Sequence, residues 1–130
     1  MKIRWLVSLQ SHPNAPQQPT GVTGAEDSTG AVDLTWDAVD GAQSYVIHAS
    51  GANEEDPKDA VFMYYTEDPS YRFTPSKLQP HVPGDILRFY VQAYDEVGVG
   101  EDETEKAAYL HDGPFTGSAW SDVVEMTMTK

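Results

Sequence analysis

The run ILRFYVQAY, residues 86–94, constrains the fold more than any other stretch. Leu87, Phe89, Val91 and Ala93 fall on one side of it, and Tyr90 and Tyr94 on the other. Side chains that alternate with period two belong to a strand, because a helix returns to the same face only every 3.6 residues. The alternation recurs in shorter runs. VDLTWD sets Val32, Leu34 and Trp36 against Asp33, Thr35 and Asp37. SYVIHAS, AVFMYYT and SYRFT follow, and SDVVEMTMT closes the chain with Val124, Met126 and Met128 in step. No segment shows a convincing helical period. Many short strands with turn residues between them predict an all-β sandwich.

Between the strands, Asp40-Gly41 marks a turn, residues 51–59 an acidic loop, residues 77–85 a Pro-rich corner and residues 95–119 a long loop. Upstream, residues 3–9 alternate as well, with Ile3, Trp5, Val7 and Leu9 on one side and Arg4, Leu6 and Ser8 on the other. Pro13, Pro16 and Pro19 make the following stretch stiff and extended. The expected organisation is a β-arm over residues 1–10, a Pro-rich linker over 11–19 and a single domain over 20–130. A length of 130 residues suits one domain. A chain of that size buries roughly two-thirds of its unfolded surface.

Composition excludes several functions. The formal net charge is -13. Nucleic acid and anionic membranes are therefore not expected partners, since both call for a basic face. The absence of cysteine removes disulfides, thiolate chemistry and cysteine-based zinc sites. The opening MKIRWLVSLQ has the basic start of a secretory signal but not its apolar stretch of 7–15 residues. No run approaches the ~20 apolar residues of a membrane span. Synthesis in a cytoplasm, without general export, is the expectation.

The stretches PTGVTG, VDLTWDAVDGAQSYVI, FYVQAYDEVGVG and SAWSDVVEMTM resemble a fibronectin type III domain of the bacterial and tailed-bacteriophage kind, over residues 19–129. Residues 34–47 are the most specific part, with Trp36 on the second strand, the VDGA turn, and Tyr45 and Ile47 on the third strand. The resemblance implies a seven-stranded, immunoglobulin-like sandwich with Trp36, Tyr45, Ile47, Leu87, Phe89 and Val91 in the core. Two positions depart from the family. Leu87 stands where a tyrosine hydroxyl usually ties down the corner before the sixth strand, and residues 95–119 replace what is often a short turn. The family's first strand is accounted for by residues 20–26, so the arm is additional to the sandwich.

No constellation carries catalysis. His12, His48, His81 and His111 lie in a linker, on a strand and in loops, outside any nucleophile motif. The acidic stretch DEVGVGEDETE lacks calcium-loop spacing and reads as a solvated loop. No metal or cofactor is expected, and the chain is expected not to be an enzyme.

Two interaction surfaces remain. Tyr90, Tyr94, Tyr109 and Phe115, with Trp120 nearby, either form an exposed aromatic interface for protein or carbohydrate, or are covered by the long loop folding back as a small second core. The arm, through Ile3, Arg4, Trp5, Val7 and Leu9, needs a sheet edge, in cis or in a neighbour. It holds two of the eight Lys and Arg residues and none of the 21 acidic ones. The function these features suggest is a structural or accessory protein of a bacteriophage virion, docked through its arm into a homo- or hetero-oligomeric assembly. The alternatives are a carbohydrate- or cell-surface-binding module outside the cell, and an intracellular interaction scaffold.

Overall fold

A computed structural model describes residues 15–130. The arm residues Ile3, Arg4, Trp5, Val7 and Leu9, and residues 11–14 of the linker, lie outside the described residues. Seven strands form two antiparallel sheets. In the first, β1 (Thr23–Glu26), β2 (Val32–Thr35) and β5 (Ser70–Phe73) pair in the order β1-β2-β5. In the second, β3 (Ser44–Ala49), β4 (Val61–Thr66), β6 (Ile86–Tyr94) and β7 (Val124–Thr127) pair in the order β4-β3-β6-β7. The register of β3 on β6 sets Ile47 opposite Val91 and Tyr45 opposite Ala93, so alternate residues of both strands point at the other sheet. The inner faces enclose one apolar core containing Leu34, Trp36, Tyr45, Ile47, Phe73, Leu87, Phe89 and Val91. Trp36 meets Tyr45 edge-on at 5.2 Å, and the Tyr45 hydroxyl accepts the Val39 N–H at 3.0 Å, which pins the β2–β3 turn to the core.

A helix, α1 (Glu103–Asp112), interrupts the long connection after β6. The stretch was expected to be loop throughout, and the structure corrects this. Asp102 caps the helix by accepting the Glu105 N–H at 2.8 Å, while the Glu105 carboxylate accepts the Glu101 N–H at 2.9 Å. Glu103 and Glu105 sit in the first turn, where acidic side chains favour the helix dipole. Only Ala107 and Leu110 of the helix are buried, so the apolar stripe is too narrow to register as a period.

The corner before β6 lacks the tyrosine hydroxyl and is held by other groups. Asn53 has a φ of 66°. Its backbone N–H donates to Ile86 O at 2.8 Å, and its side-chain oxygen accepts the Ile86 N–H at 2.9 Å. Met128 N donates to Asp85 O, and Gly84 N to Met128 O. At the other margin of the sandwich, the Glu26 carboxylate accepts Thr129 N, Thr129 Oγ1 and Lys130 N, each within about 3 Å, and ties the end of β7 to β1. Of the linker, Pro16 and Pro19 are buried, and Gln18 Nε2 donates to Trp120 O at 2.6 Å. This half of the linker therefore belongs to the body of the domain.

Candidate functional site: the covered outer face of the four-stranded sheet

All six residues of β3 are buried, although only one face of a sheet in a two-layer sandwich meets the other sheet. The reason is a second apolar cluster on the outer face. Val46 of β3, Tyr65 of β4 and Tyr94 of β6 pack there against Ala107 and Leu110 of α1, with Phe62 and Phe115 at the margin. A bulge between Ile47 and His48 lets β4 serve both sides: Tyr64 faces Ile47 while Tyr65 and Phe62 face outward.

The same face carries a polar and aromatic seam beside the helix. His48 is 1% exposed. Its ring stacks on Trp120 with centroids 4.0 Å apart, and Trp120 in turn lies 5.2 Å from Tyr90. His48 Nε2 sits 2.9 Å from Gln92 Oε1, and Gln92 Nε2 donates to Ser118 O at 3.0 Å. The second bond orients the amide, so Nε2 of His48 carries the proton and donates. Across the seam, the ring of His111 on α1 lies 6.3 Å from that of His48 and 4.5 Å from Phe62. Burial holds the His48 imidazole down at about 4, with the Gln92 bond opposing and His111 adding to the effect.

Trp120 reaches this position through the segment SAWS. Ser118 Oγ accepts the Ala93 N–H, and Ser121 Oγ accepts the Val91 N–H, both at 2.9 Å. The two hydroxyls complete the ladder of β6 before β7 begins and turn the intervening tryptophan outward.

The candidate aromatics thus come together, but mostly under cover. Of the two arrangements the sequence left open, Tyr90 and Tyr94 take the covered one, at 7% and 3% exposed, because Trp120 and α1 lie over them. Phe115 is half-buried. Tyr109 alone of the four is exposed, at 40%, leaning on Phe115 with centroids 5.1 Å apart. Trp36, Tyr45, Ile47, Leu87, Phe89 and Val91 are buried between the sheets. Sequence reasoning missed His48, His111, Gln92 and the helix. The one local signal was Asp102 followed three residues later by Glu105, the spacing of a helix cap.

At its N-terminal end the helix is moored to the sandwich. The Tyr71 hydroxyl donates to Glu103 and accepts from Lys77 Nζ at 3.1 Å. Burial first, and then the Glu103 carboxylate, push the Tyr71 phenol well above its ordinary value. Glu103 thereby ties the helix to β5 of the other sheet. Among the described residues no three His, Asp or Glu side chains converge in a way that could hold a metal. His48 has an amide as its hydrogen-bond partner, which neither activates a nucleophile nor relays a proton. The surface is one of packing and cover.

No family model and no curated protein matches this chain. Solved structures do. A Fn3-like protein from Clostridium thermocellum superposes with a TM-score of 0.57 at 20% identity, covering 85% of this chain and 91% of that one. A mutant of the protein FN3tt gives 0.53 at 20% identity, over 88% and 98%. The fn3 domain of the human collagen alpha-1(XX) chain gives 0.53 at 18%, over 88% and 86%. Two antiparallel sheets in this topology, and these superpositions, establish the fibronectin type III fold.

Proposed function

We propose that this fibronectin type III fold serves as a non-catalytic structural module of a larger protein assembly, held there by its N-terminal arm. A tailed-bacteriophage particle, reached without export from the cytoplasm where the chain is made, is the assembly suggested by the sequence resemblance. The observation that carries the proposal is that the described residues 15–130 form two antiparallel sheets around an apolar core, with a second apolar cluster outside them. In this reading the alternating, basic stretch of residues 1–10 is additional to the sandwich. An amphipathic strand seeks a sheet edge, and a basic one favours an acidic surface. The carbohydrate-binding alternative is weakened by the burial of Tyr90 and Tyr94, since a sugar platform needs bare aromatic faces.

The test compares the full chain with a variant lacking residues 1–12, each expressed in the cells that make the protein and followed through density-gradient sedimentation. The full chain should travel with a large particle, and the deletion should leave it at the top as a folded monomer with nearly unchanged melting temperature. Trp5→Ala should weaken incorporation more than Lys2→Ala, because a buried aromatic anchor outweighs a rim charge. A full chain that stays monomeric, or a truncated chain that still incorporates, would overturn the proposal.

A further inference from the structure

We propose that α1 is an acid-released cover over the outer face of the four-stranded sheet, latched by His48 on β3 and His111 on the helix. The inference is independent of the assembly proposed above and rests on the seam between helix and sheet. Two imidazoles face each other there with ring centroids 6.3 Å apart. One is buried among Trp120, Tyr90 and Phe62, and the other is half exposed at the last turn of the helix. While both rings are neutral they pack as aromatic surface. When both are charged, the seam holds two like charges close together in a poorly hydrated setting, and separation relieves the repulsion.

The surroundings of His48 offer a cation little. Gln92 and Tyr90 face it from β6, Phe62 is its register partner on β4, and Trp120 covers its ring. Its Nε2–H is already engaged on Gln92. Arg88, one row along β6, is paired with Glu125 at 2.7 Å. From α1 come His111 and the adjacent Asp112, whose Oδ1 lies 3.0 Å from His111 Nδ1. A charge on His111 resists one on His48.

The sign follows from the folded and unfolded values. Unfolded, or with the helix lifted, His48 is an ordinary imidazole and binds its proton below about 6.5. Under the cover it binds one only near 4. The closed state therefore loses ground to the open one as pH falls from about 6.5 to about 4, and no further loss from this group follows below that.

Opening need not unfold the sandwich. The inner core and the outer cluster are separate, and α1 contributes only Ala107 and Leu110 to the latter. A helix attached by two buried residues and by the half-exposed contact of Glu103 with Tyr71 and Lys77 is a local unit that can open below the free energy of global unfolding. Its departure bares Val46, Tyr65 and Tyr94 on the sheet while β3 and β6 stay paired inside.

The experiment is a titration of the full chain from pH 7.5 to 3.5 by nuclear magnetic resonance, with the fluorescence of an apolar dye (anilinonaphthalene sulfonate) followed in parallel. Amide signals of residues 103–112 should lose their folded positions between pH 5 and 4, and dye fluorescence should rise several-fold. Leu34, Ile47 and Phe89 should keep their folded signals over the same range. The ring proton of His48 should titrate with the same midpoint as the helix amides. His48→Gln keeps a donor for Gln92 without a titrating ring, and should move the helix midpoint down by at least one pH unit; His111→Gln should move it less. Helix and core amides vanishing together would overturn the proposal. So would a His48 ring that titrates apart from the helix, or a midpoint unmoved in both variants. If His48→Gln does not fold, coincidence of the ring and helix midpoints in the unaltered chain, with the His111→Gln shift, decides the matter.

Discussion

Leu87 and Asn53 divide between them a task that one tyrosine performs elsewhere in this fold. Leu87 fills the inner core with its side chain, and Asn53 supplies the hydrogen bonds that hold the corner before β6. Replacing Leu87 with Asp would bury an unpaired charge, and no cooperative urea transition should remain. Asn53→Ala removes a backbone cap at a left-handed position and should lower stability by about 1–3 kcal/mol, read from the urea midpoint. Trp36→Ala should cost about 3–5 kcal/mol in the same measurement, because its ring is enclosed between the sheets. The inward residues were legible in the sequence because strand alternation is local: Trp36, Ile47 and Phe89 each sit in step with apolar neighbours two residues away. Asn53 was not, since its partners lie more than thirty residues along the chain and nothing near it announces them.

At the scale of elements, every strand was legible and the helix was not. β2, β6 and β7 declare themselves by period two, β3, β4 and β5 by their runs of strand-forming residues and β1 through the family resemblance, whereas α1 buries two residues of its ten and is made mostly of groups that face water. The acidic stretch that reads as a solvated loop is in part a helix start: Asp102 and Glu105 cap it and Glu103 moors it to Tyr71 and Lys77. Two outcomes follow. Asp102→Ala should weaken the helix by about 0.5–2 kcal/mol, seen as faster amide exchange over residues 103–112 with β3 and β6 unaffected. Calcium titrated by calorimetry should bind no tighter than about 10 μM, because carboxylates committed to amides and a phenol are not free to encircle an ion. The aromatics were legible as a set of residues, with exposure and cover by the long loop left as alternatives. Tyr90 and Tyr94 point outward as their register requires, and what hides them is Trp120 and a helix whose position depends on contacts distant in sequence.

For the whole molecule, the pairings that complete the sheets are non-local: β2 with β5, β3 with β6 and β6 with β7. Four strands of one sheet come from residues 44–127, in the order β4-β3-β6-β7, so no sheet can close until distant segments meet. Refolding should accordingly take milliseconds to seconds, in stopped-flow experiments on the full chain, rather than microseconds. The described chain begins at Ala15 beside the β2–β3 turn, where a cavity of about 440 Å³ lies between residues 15–18 and 38–40. It leaves at Lys130, on the opposite pole, where Glu26 grips the last two residues. Between the poles β1 and β7 run side by side in the same direction, with Gly24 close against Val124 and Met126. Tension applied between the two ends would therefore drag β1 one way and β7 the other, along their lengths. The ladders of β1 with β2 and of β7 with β6 would bear that load in shear, all rungs at once, and the Glu26 carboxylate would be the first clasp to be strained.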